Sequence, residues 1–86
     1  MDLLQDLISN KKLFFSFMKE KYPVYKESNI FFRDLQYAII NYYMKKGKII
    51  KYQNAEKLAL KFIEKLVNEG ELKNISNNAW KVNFSL

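Results

Sequence analysis

The sequence predicts a mainly helical α+β domain: a three-helix core, a short strand and a C-terminal β-hairpin, with residues 1–86 forming a single domain. Three observations lead there. Apolar residues recur at helical spacing in three separate stretches, each of the chain's two glycines closes one of the last two stretches, and beyond Gly70 the period drops to two. The core of so short a chain is small, and a 16% share of aromatic residues supplies the bulk to fill it.

The first helix is expected over about 2–20. Asp2 reads as its N-cap, with Gln5 at the capping-box position, and Leu4, Leu7, Ile8, Phe14, Phe15, Met18 and Tyr22 fall on one face. Ser9-Asn10 is the weak point, where the stretch splits into two shorter helices if it splits at all. Leu13 and Phe17 lie off the main face, one turn apart. They read either as the margin of a wide buried stripe or as a contact for a homodimer or protein partner. The helix stops at Tyr22, because the residue before Pro23 is pushed out of the helical region.

A second helix, about 30–46, is capped by Ser28 or Asn29 and is apolar nearly all round, so it belongs at the centre of the fold. Lys45 and Lys46 suit the negative end of its dipole, and Gly47 supplies the left-handed residue that ends it. Lys48-Ile49-Ile50-Lys51-Tyr52 reads as the short strand, about 48–52. Asn54 then caps a third helix, about 54–69, whose buried stripe is Leu58, Ala59, Phe62, Ile63, Leu66 and Val67, with Gly70 at its end. The hairpin occupies about 71–84 and turns at Asn77-Asn78, since asparagine tolerates positive φ; Trp80, Val82 and Phe84 share its inner face.

This order is similar to that of a winged-helix domain. The resemblance is carried by residues 54–84, where an amphipathic helix closing on Leu66-Val67-Asn68-Glu69-Gly70-Glu71-Leu72 leads into a hairpin returning as Ala79-Trp80-Lys81-Val82. It implies that the last helix enters the major groove and that the hairpin is the wing. One departure stands against it. A helix-turn-helix joins its helices by about three or four residues, whereas Gly47 to Gln53 separates them here and looks like a strand, so a different small α+β fold remains the alternative.

Composition excludes several chemistries. With no cysteine and no histidine, thiol redox chemistry, Ser-His triads and zinc sites of Cys or His have no ligands or bases to work with, and two glycines are too few for a P-loop or a dinucleotide turn. No pair of the nine acids stands out as a buried acid and base, so neither catalysis, nor a metal, a cofactor or a small-molecule substrate is expected. No apolar run approaches the length of a membrane span, and the N-terminal segment carries acids where a signal peptide carries bases, which makes cytoplasm the expected location.

The net charge of +6 points to a polyanion. Residues 31–53 hold five basic side chains, among them Lys45, Lys46, Lys48 and Lys51, against Asp34 alone. Lys57, Lys61 and Lys65 recur every four residues on the third helix, and Lys73 and Lys81 add charge on the hairpin. Convergence of these groups would let five to eight lysines meet one run of duplex DNA phosphates. Tyr52 and Gln53 stand at the helix start, where base-edge or stacking contacts are expected, and Asn54 is either such a reader or simply the cap. Lysine rows are also ordinary on a solvated helix face. The rival reading is a protein-interaction module with an exposed aromatic and apolar patch.

Overall fold

The computed structural model describes residues 2–86, in the order α1 (Leu3–Ser9), α2 (Lys11–Lys19), β1 (Asn29–Phe31), α3 (Phe32–Lys45), α4 (Tyr52–Asn68), β2 (Leu72–Ser76) and β3 (Ala79–Val82). Helices dominate, and the strands form one antiparallel sheet in the order β1-β3-β2.

The first expected helix is two. Asp2 caps α1 as its composition suggests, its Oδ1 accepting from the backbone N–H of Leu4 at 3.0 Å. At Asn10 the backbone leaves helical geometry (φ −117°, ψ 30°), and the Asn10 side chain donates back to the Asp6 carbonyl at 3.0 Å. The amide thus competes with the backbone for the same helical acceptor, as expected where a helix gives way, and Leu7 before the break and Phe14 after it are both fully buried.

The larger correction concerns the short strand. Residues 48–51 form no strand, and the third strand is Asn29–Phe31, at the place read as the start of the second helix. Neither Ser28 nor Asn29 caps α3; Phe31 holds that position in extended geometry without a side-chain bond. The reason lies in pairing. β3 has two edges, and β1 and β2 occupy both, with Ile30 opposite Trp80 and Asn74 opposite Trp80 on its other side. The Lys48–Lys51 segment pairs with neither outer edge of the sheet and becomes the turn between α3 and α4, with Ile50 tucked into the core and Ile49 87% exposed. Asn54 is likewise not the cap of α4. The helix begins two residues earlier at Tyr52, with Lys51 at the N-cap.

Both glycines end helices as expected. Gly47 (φ +84°) and Gly70 (φ +76°) take left-handed geometry. Each is followed by a residue whose N–H reaches back five residues, Lys48 to the Tyr43 carbonyl at 2.8 Å and Glu71 to the Leu66 carbonyl at 2.9 Å. This is the Schellman arrangement, which satisfies carbonyls the helix leaves open.

The core is a single cluster with an aromatic centre. Phe14, Phe15 and Phe62 meet at centroid distances of 5.2 to 5.7 Å, with Tyr42 edge-on to Phe14 at 5.3 Å. Edge-to-face geometry of this kind adds about 0.5–1.5 kcal/mol per pair beyond the burial of the rings. Tyr43 carries its hydroxyl to α1, where it donates to Asp6 Oδ2 at 2.7 Å, and Gln36, the buried polar side chain of the core, donates to the Tyr52 carbonyl at 3.2 Å and so ties the start of α4 to α3. Lys11 bridges α2 to the end of α4 through Glu69 and Glu71.

Candidate nucleic-acid interface

Helix α4 buries Ala55, Leu58, Ala59, Phe62, Ile63 and Leu66 and presents its opposite side to solvent. Because 3.6 residues make a turn, Lys57, Lys61 and Lys65 form an exposed row beside that stripe. Their electrostatic settings differ. Lys65 Nζ lies 3.7 Å from Glu69 Oε2, one turn on, whereas neither Lys57 nor Lys61 enters any of the ion pairs among the described residues. These two lysines border a shallow groove of about 390 Å³ whose other walls include Ile50 and Asn54 and, from the start of α1, Asp2. The turn therefore adjoins the row, and the exposed Lys48 and Lys51 flank it.

Gln53 and Asn54 are exposed in the first turn of α4. Tyr52 is half-exposed and packs edge-on against Tyr37 at 5.9 Å. Its ring is thus shared with α3, leaving one face for a further contact.

The remaining lysines go elsewhere. Lys45 Nζ sits 5.5 Å from the centre of the Phe17 ring and Lys46 Nζ 4.5 Å from that of Tyr42, so both ammoniums lie along the α2–α3 surface with Leu13 and Phe17. Cation–π contacts hold them there. The Tyr42 hydroxyl beside Lys46 raises the pKa of that ammonium. Lys73 and Lys81 are direct partners across β2 and β3, and Lys81 is drawn to Glu27 at 3.4 Å, which quiets the repulsion between the two. The structure therefore sets Lys57 and Lys61 on one groove with Ile50 of the turn that carries the exposed Lys48 and Lys51, sends Lys45 and Lys46 to a second surface, and leaves Lys65 and Lys81 beside carboxylates.

Leu13 is 57% exposed, while Phe17 is partly buried against the core. With Ser16, Tyr42, Lys45 and Lys46 they line an open groove of about 360 Å³. Tyr42 belongs both to the core and to this groove. Only its position one turn before Lys45 and Lys46, and opposite Phe17 at 5.5 Å, reveals the second role. Among the described residues no group of three acids could hold a metal ion, and no helix is long and apolar enough to cross a membrane. No protein-family model, curated protein or solved structure matches the chain.

Proposed function

We propose that the chain is a small non-enzymatic DNA-binding domain of winged-helix type that grips duplex phosphates through Lys48, Lys51, Lys57 and Lys61. The supporting observation is the strand-free turn between α3 and α4, which delivers α4 with an open outer face and two lysines, Lys57 and Lys61, that enter no ion pair among the described residues. The connection carries no strand, which narrows the departure noted in the sequence, but at six residues, Lys46 to Lys51, it is still longer than the usual helix-turn-helix turn. Lysines act on phosphate as point charges, and a chain with Arg33 as its single arginine has little means of bidentate guanine reading. Binding is therefore dominated by phosphates and counterion release, with Gln53 and Asn54 supplying what base discrimination there is.

Polarisation titration of a labelled duplex across about 50–200 mM salt tests this reading. Four phosphate contacts give a log–log slope of roughly −3 to −4, and Lys57→Gln with Lys61→Gln makes it shallower by about 2. Lys19→Gln with Lys21→Gln, an equal loss of charge on α2 and its end, leaves the slope where it was. Binding weaker than about millimolar at 50 mM salt, or equal slopes for the two double variants, refutes the proposal.

A further inference from the structure

The α2–α3 groove and the outer face of α4 are complementary in polarity and charge. The groove has an apolar floor, Leu13, Phe17 and Tyr42, and a cationic rim of Lys45 and Lys46, with Glu20 as its single acid. On α4 the row Glu56, Leu60 and Glu64, spaced four residues apart, puts a 53%-exposed leucine between two exposed carboxylates. That leucine has no role in the core, and it stands on a different row from Lys57 and Lys61.

We propose that a second copy of this chain fills the groove: Leu60 of one molecule seats on Leu13, Phe17 and Tyr42 of the next, while Glu56 and Glu64 meet Lys45 and Lys46. The groove's volume, at the lower end of the range for small-ligand sites, suits one anchor side chain rather than a whole helix. The two ammoniums already lie over aromatic rings at its edge, which holds them where the incoming carboxylates would meet them. A second observation points the same way. The Tyr42 side chain is 4% exposed and its hydroxyl has no hydrogen-bond partner of good geometry, the one such side-chain atom among the described residues. A carboxylate that draws Lys46 off the ring gives that hydroxyl an acceptor. A nucleic-acid strand fits less well, because a floor of Leu and Phe offers phosphates nothing.

With one anchor and two exposed ion pairs the contact is weak, with a dissociation constant on the order of 0.1–1 mM. It becomes effective when several copies are held close together, as on one duplex. Sedimentation equilibrium of the whole chain over a range of concentrations spanning that value tests it. The weight-average mass rises above 10.4 kDa for the wild type, and Leu60→Glu or Leu13→Glu, both at exposed positions, abolishes the rise without lowering the melting temperature. Reversal of either charge set, Lys45→Glu with Lys46→Glu or Glu56→Lys with Glu64→Lys, also yields monomers. An equimolar mixture of the two reversed proteins associates again, because each then offers the charge the other lacks. A wild type monomeric throughout leaves the groove to some other occupant and overturns the proposal. So does a mixture that stays monomeric, or a Leu60→Glu protein that associates as the wild type does.

Discussion

Tyr42 and Tyr43 are neighbours on α3, both almost wholly buried, yet removal of the same atom from each has opposite consequences. The Tyr43 hydroxyl donates to Asp6 Oδ2 at 2.7 Å and lies 3.2 Å from the Leu3 carbonyl, so it joins α3 to α1. Tyr43→Phe breaks a bond to a charged acceptor, a class worth about 1.5–3 kcal/mol. Asp6 is partly solvated and keeps the Asn10 side-chain amide at 3.1 Å. The loss is therefore set at the low end, about 1–2 kcal/mol. The Tyr42 hydroxyl makes no hydrogen bond of good geometry among the described residues and has only the exposed Lys46 ammonium beside it, so Tyr42→Phe loses little while removing a polar atom that folding had to strip of water, for a change between zero and a gain of about 1 kcal/mol. In a chain of this size 1 kcal/mol moves the melting temperature by about 4–8 °C. Urea unfolding followed by circular dichroism should thus show Tyr43→Phe less stable by about 1–2 kcal/mol, equivalent to about 4–16 °C, and Tyr42→Phe level or higher, with unchanged m-values. Equal losses in the two variants, or a larger loss at Tyr42, would refute the hydrogen-bond assignment.

Burial, and then the Asp6 carboxylate, raise the Tyr43 pKa above that of a free phenol, so stability is complete below about pH 10 and falls as pH rises beyond it; alkaline titration of Tyr43→Phe should show a shallower decline. Lys11 shifts in the same direction, through its bond to Glu71 first, and adds to the alkaline loss. Glu27 holds φ +75°, a left-handed geometry that asparagine tolerates and β-branched residues do not. Thermal melts should place Glu27→Asn at or above the wild type, and Glu27→Val below it by about 1 kcal/mol or more. At Gly47, where an added Cβ would meet nothing within 4 Å, alanine costs only the backbone strain of its positive φ, about 1 kcal/mol in chemical denaturation.

What could be read along the chain was what is locally encoded. The buried stripe of α4 and the two glycine stops each follow from a few adjacent residues, and each is present; the hairpin also turns at Asn77-Asn78, but neither asparagine takes the positive φ expected of it, and the ladder shifts register between Asn74 and Ser76. Val67 is the exception within the stripe, 38% exposed at its margin. The strand was misplaced because Asn29-Ile30-Phe31 and Lys48-Ile49-Ile50 have similar intrinsic leanings, and only pairing with β3, fifty residues beyond β1, decides between them. The candidate site divides in the same way. The row Lys57-Lys61-Lys65 and the pair Lys65–Glu69 follow from helical spacing. The capture of Lys81 by Glu27, and of Lys45 and Lys46 by aromatic rings, depends on elements far apart in the chain.

The position of β3 in the middle of the sheet has a consequence for how the chain can be assembled. β1 and β2 never touch each other; both are organised by the segment that is translated last among the three. Until Ala79–Val82 emerges, every ladder bond of the sheet is missing, and the nascent protein is a cluster of helices with two orphaned edges. Sheet formation is then a single late event, and a chain cut before Ala79 should keep helical signal while exposing the underside of its aromatic centre to dyes and proteases.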